Sequence, residues 1–220
     1  PGSFAKSSKP LKFRPEQSIQ LSCKFFPTLL FKNCQCLISI GESSLEIDKS
    51  GQVIFEHSDH KIASDIPITE RKWFEIEGKI SLTGKISITL TDLSDLTRKY
   101  KREMKVPLEK IKQINATFFV AAKHSGYQAL NLFNGKIEAP SIKIDSKIEK
   151  TWDFSKATST TFVPHQSSSK LDLINCPTRA VTSSIWDGSE MNWSHKPEHY
   201  AAIHFHEDDI YDFDWDTDFT

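Results

Sequence analysis

No run of eighteen apolar residues occurs in the 220-residue chain, so nothing in it reads as a membrane span. The first thirteen residues, "PGSFAKSSKPLKF", lack the apolar stretch of a secretory signal and read as loop or as a tag remnant. Gly-x-Ser-x-Gly is absent, which removes the strand-to-helix serine nucleophile. Cys-x-x-Cys is absent too: Cys34 and Cys36 stand too close together for a redox or zinc knuckle. Cys23 falls at an apolar position of a strand pattern, and Cys176 stands alone. Four scattered cysteines without a secretory signal suggest free thiols in a reducing, cytoplasmic setting. Aromatics are scarce where bases are dense: Thr97 to Lys112 holds seven Lys/Arg and two Glu but only Tyr100 for stacking. That run reads as a solvated connection and not as a nucleic-acid site.

What is present is alternation. "KISITL" puts Ile86, Ile88 and Leu90 on one face, and "WFEIEGKI" does the same with Phe74, Ile76 and Ile80. "SIQLSCKF" sets Ile19, Leu21, Cys23 and Phe25 against Ser18, Gln20, Ser22 and Lys24. "QCLISI", "SLEID" and "QVIFEH" follow, the last two joined by the turn Asp48 to Gly51, which suits a hairpin. "ATFFVAAK" and "GKIEAPSIKI" complete the set. One short helix is expected over Pro107 to Ile114, with proline in its first turn. Half-polar strands without intervening helices predict an all-β fold, an antiparallel β-sandwich of the jelly-roll type, over residues 1–150. Residues 151–220 predict a largely irregular extension, rich in Ser/Thr and then in turn residues around Trp186 and Trp193. Charge divides at its end. Residues 201–220 carry seven acids and no Lys or Arg, leaving 28 bases against 22 acids in the rest.

The strand-rich part resembles laminin-G-like, concanavalin A-like lectin domains. "SIQLSCKFFPT" opens it, "GQVIFEH" forms an early hairpin, "RKWFEIEGKI" is the Trp-bearing strand and "NLFNGKIEAPSI" the closing signature. In the last, Gly135 permits a tight turn after Phe133. The C-terminal third resembles the large (β) subunit of the bacterial N,N-dimethylformamidase family. The matched residues are Trp152 to Ser155, Asn175, Pro177, Arg179 and Ala180, then Trp186, Gly188, Met191, Asn192 and Trp193. Tyr200, Ala202 to His206, Asp208, Asp209, Asp212, Trp215, Asp218 and Phe219 follow. The resemblance implies a continuation into an amidotransferase-like α/β domain that holds iron through tyrosine and glutamate and hydrolyses a formamide C–N bond. None of those motifs lies in these 220 residues, so no catalytic residue and no cofactor is assigned to this chain, which reads as a piece of a longer subunit. The implied partners are its own catalytic domain, a small subunit and further copies.

Several residues invite chemistry. On a strand, His204 and His206 face one side and could chelate a divalent metal with Glu207 nearby. The competing and preferred reading is a polar strand end that meets a neighbouring domain. Arg179, Trp186, Trp193, Tyr200, His204, His206, Asp208, Asp209 and Trp215 are accordingly the family-motif and interface candidates. Trp73, opposite the apolar face of its strand, is the candidate for stacking on a sugar, with core or interface packing preferred. Glu75 and Glu77 share the outer face of one strand, but no aromatic-lined cleft accompanies them for glycosidase work. The expected role is a lectin-like accessory domain. The alternatives are a free-standing carbohydrate-binding module and a metal-dependent hydrolase using His204 and His206.

Overall fold

The computed structural model describes residues 2–14, 18–30, 33–81, 83–107, 114–125, 128–145, 147–156, 162–164, 169–180, 183–185 and 201–206. Its strands begin with β1 (Phe4–Ser7), β2 (Leu11–Phe13), β3 (Ser18–Pro27), β4 (Gln35–Ile40), β5 (Ser43–Ile47) and β6 (Gln52–His57). There follow β7 (His60–Pro67), β8 (Phe74–Ser81), β9 (Lys85–Asp92), β10 (Lys99–Lys105), β11 (Ile114–Ala116), β12 (Phe118–Val120) and β13 (Lys123–Ser125). The last are β14 (Gln128–Leu130), β15 (Gly135–Ile144), β16 (Ile148–Thr151), β17 (Phe162–Pro164), β18 (Lys170–Ile174), β19 (Thr178–Ala180) and β20 (Ala202–Phe205). Sheet I has the order β17-β18-β1-β12-β4-β5-β6-β7, and sheet II the order β10-β9-β8-β3-β15-β20-β19 with β16 beside β15. Every pairing is antiparallel, so the expected all-β sandwich is what the chain forms.

Alternation explains sheet II directly. The apolar members of β3, β8 and β9 are buried while their polar neighbours line the outer face. Burying an aliphatic or aromatic side chain of this kind contributes about 1.5–3 kcal/mol, and the core holds about thirty of them among the described residues. Gly78 occupies an inward position of β8 where a Cβ would overlap the Phe55 ring and touch Leu45 of sheet I. The two sheets therefore approach closely over this glycine. Gly135 has φ +153°, and a Cβ there would overlap the Phe26 carbonyl and the Phe133 ring, so the turn after Phe133 requires glycine as expected. Between Glu138 and Ser141, β15 shifts register against β3. Ala139 (φ 48°) and Pro140 form this bulge, the one place where a proline fits a central strand.

The turn after β5 is set by Asp48, whose carboxylate accepts the Ser50 and Gln52 amides at 2.8 and 2.9 Å. The expected helix falls on residues 108–113, outside the described residues, and Ile114 itself opens β11. The basic run corrects the sequence reading, because Lys99–Lys105 is not a connection but the edge strand β10, paired with β9 from Lys99↔Thr91 to Lys105↔Lys85. It carries little apolar surface because both its faces stay exposed, and edge lysines discourage pairing with a further strand.

Residues after Thr151 enter both sheets. β17 and β18 extend sheet I beside β1, while β19 and β20 extend sheet II beside β15. At this rim the Ser3 amide donates to the His206 carbonyl (2.7 Å) and the His206 amide to Ser3 Oγ (2.8 Å). The first residues of the chain are thus bonded into the fold. At the opposite rim Arg102 of β10 pairs with Asp65 of β7.

Candidate functional site

Trp152 follows β16 and turns inward. It is fully buried, stacks on Phe118 of sheet I at 4.6 Å, and its amide donates to the bulge carbonyl of Pro140 at 3.1 Å. Asp153 accepts the Ser155 amide at 3.0 Å, closing a 3-10 turn that carries Phe154 into the core. The "WDFS" residues therefore act as an inter-sheet plug. Asn175 adopts φ 57°, and its Nδ2 donates to the Gly2 carbonyl at 2.9 Å, turning the chain from β18 toward β19. Asparagine tolerates that left-handed conformation better than most residues.

The outer face of sheet II near β20 gathers several of the expected residues. The rings of His204 and His206 lie 4.4 Å apart on one side of the strand, as the alternation predicts. His204 Nε2 is 3.4 Å from Thr28 Oγ1. Burial, then His206 and Lys136, push the His204 imidazole down to about 4, and burial lowers His206 as well. Both rings are therefore neutral at pH 7. Lys136 stands opposite His204 in the ladder, with its ammonium 4.8 Å above Phe26. Phe26 in turn packs on Trp73 at 5.5 Å, so Trp73 is half-buried against a ring and does not stand free. Glu138, 7% exposed, accepts Lys24 Nζ (3.2 Å), Ser184 Oγ (3.0 Å) and the Ser184 amide (2.9 Å). This anchor fixes the chain just ahead of the tryptophan block. Arg179 sits in β19 opposite Ile203, its side chain outside the described residues. Trp186, Trp193, Tyr200, Glu207, Asp208, Asp209 and Trp215 also lie outside the described residues.

As a metal centre this arrangement is incomplete: among the described residues no three His, Cys, Asp or Glu side chains come together. A lysine beside the histidine pair also opposes a divalent cation. Glu75 is exposed and Glu77 half-buried on the same face, with no aromatic cleft between them among the described residues. Sequence reasoning missed the Glu138 anchor, because its partners are distant in sequence. It also missed a polar cluster on the outer face of sheet I. There Lys123 Nζ donates to Glu46 (2.7 Å) and Glu56 (3.0 Å), and Ser44 Oγ to Glu46 (2.6 Å), all half-buried or buried. The one available signal was Glu46 between the apolar Leu45 and Ile47 of "SLEID". The four cysteines are free thiols, and burial pushes those of Cys23 and Cys36 up, which makes them inert core groups.

Two eight-stranded antiparallel sheets, counted over the described residues and packed in this way, define a lectin-like β-sandwich. In keeping with that, the chain is similar in fold to a candidate carbohydrate-binding protein from Bacteroides ovatus. The TM-score is 0.57 at 9% identity, covering 79% of this chain and 57% of that one. No family model matches the sequence. Among curated proteins it is similar to the N,N-dimethylformamidase beta subunit of Paracoccus aminophilus, 27% identical over 80% of this chain and 29% of that protein. The N,N-dimethylformamidase beta subunit of an Alcaligenes species is likewise 27% identical, over 78% of this chain and 29% of its own length. The chain thus spans about 29% of the length of these relatives. The likeness read from the "WDFS", "NCPTRA" and "YAAIHFH" stretches is a likeness to these subunits.

Proposed function

We propose that this chain is a lectin-like accessory domain of a dimethylformamidase-like large subunit, acting in the cytoplasm. It packs against that subunit's catalytic domain, a small subunit or a further copy. The observation that carries this reading is the alignment itself. Four-fifths of the chain aligns with less than a third of a subunit whose name denotes a C–N-bond hydrolase. The site geometry supports a packing role over a catalytic one. The motif residues Trp152, Phe154, Asn175 and His206 are engaged in plugging, turning and tying the sandwich. The Glu138 anchor holds Ser184 and β20 pairs with β15, and in the sequence the tryptophan block follows the first and the acidic segment the second. Trp186, Trp193, Tyr200, Asp208, Asp209 and Trp215 then serve as contacts to the neighbouring domain, with aromatics burying and polar groups satisfying backbone. The family's iron belongs to the catalytic domain in this reading. The histidine pair with its lysine neighbour does not fit that metal, and no step of the chemistry runs through this chain.

The test is turnover. Incubated with N,N-dimethylformamide, the 220-residue chain is expected to release dimethylamine at the buffer background while an intact dimethylformamidase runs beside it. Release at a rate comparable to the intact enzyme overturns the accessory reading.

A further inference from the structure

An open groove of about 450 Å³ lies on the outer face of sheet II, far from β20, where β8, β9 and β10 adjoin the start of β3. Its size is within the ~300–1,000 Å³ of small-ligand sites. Among the described residues no aromatic ring lines it, so they form no stacking platform there. Lys79, Lys85 and Lys101 line it together with Glu77 and Glu103. The register explains the gathering: Lys101 pairs across with Thr89 and Glu103 with Ser87, and those two pair across with Glu77 and Lys79. The basic run singled out in the sequence is therefore one wall of this groove. Lys99 and Lys105, on the same side of β10 as Lys101, continue the positive rim.

Charge in the groove is uneven. Glu103 accepts both Lys85 (2.6 Å) and Lys101 (2.8 Å). Lys79 makes no ion pair among the described residues and is left as a cation on the groove floor. A ligand bearing only negative charge would meet Glu77 and Glu103, which have nothing to accept from it. A neutral sugar would find neither a ring to stack on nor a counter-charge for Lys79. A ligand with both carboxylates and hydroxyl donors satisfies the whole lining: carboxylates on Lys79 and Lys101, hydroxyls on Glu77, Glu103 and the Ser81 and Ser87 side chains.

We propose that this groove binds a carboxylated oligosaccharide, a chain containing uronic acid units. The inference goes beyond the accessory role and does not depend on it, since the groove lies away from the rim that β20 occupies. Titration calorimetry on the full 220-residue chain with a short oligogalacturonate tests it. A neutral oligosaccharide of equal length and a poly-glutamate peptide serve as comparison ligands. Saturable binding of the oligouronate alone is expected, weakening at least about tenfold in the double variant Lys79→Glu/Lys101→Glu. Exposed Lys9 lies away from the groove, and Lys9→Glu should bind like the parent. Circular dichroism confirms that each variant is folded. Absence of saturable oligouronate binding, equal binding of poly-glutamate, or an undiminished double variant overturns the proposal. Any of these leaves the turnover result, and with it the accessory reading, untouched.

Discussion

Gly78 limits how closely the sandwich can close. Phe55 and Leu45 of the facing sheet occupy the space where its side chain would stand. Gly78→Ala is expected to destabilise by about 1–3 kcal/mol through overpacking, read as a lower urea midpoint at unchanged slope. An unchanged midpoint would mean that the sheets are spaced more widely over β8 than described. Trp152 is the complementary case, a large ring closing space between the sheets on Phe118. Residue roles of this kind were only half legible in the sequence. The glycine of "NLFNG" announced a turn, whereas Gly78 inside an alternating strand gave no sign that another sheet pressed on it. Trp73 was read by strand parity as outward, which is where it lies. Parity could not reveal that Phe26, forty-seven positions away, would cover one of its faces.

At the scale of elements, β20 shows how a strand fixed at a rim becomes sensitive to pH. His204 and His206 lie ring to ring with Lys136 opposite, and His204 is held near 4 against an ordinary 6.5. Below pH 6.5 the unfolded chain takes up protons that the folded chain refuses until about pH 4. The unfolded state therefore binds more protons in that window, and stability falls as pH falls through it. Thermal melts from pH 7 to pH 4 should show a declining Tm, with the decline shallower in His204→Gln. Equal slopes for the two proteins would remove His204 from the account.

The elements also show where sequence reading succeeds. β3, β8 and β9 each have one wet and one dry face, and alternation marked them. β4 and β5 are buried on both faces, so their pattern carried less information. β10 looked like a connection because an edge strand exposed on both faces has no apolar side to display. β18 and β20 are short and owe their existence to partners far away in the chain. Ala202 pairs with Glu138 and Phe4 with Ile174, and no local pattern encodes such pairing.

At the scale of the whole molecule, the described residues after Thr151 complete the sandwich. Trp152, Phe154, Leu171, Ile203 and Phe205 are all buried. At about 1.5–3 kcal/mol each, an upper estimate, their burial rivals the ~5–15 kcal/mol net stability of an ordinary domain. The dimethylformamidase-like stretches were legible as a resemblance, while their physical duties were not, because plugging and tying depend on sheet I and on the first residues of the chain. The most direct measurement is thermal unfolding of residues 1–151 beside the full 220-residue chain. The predicted result is loss of the cooperative transition, or a Tm lower by at least ~10 °C, in the shorter protein. Coincident transitions would contradict this and make the sandwich self-sufficient without the residues after Thr151.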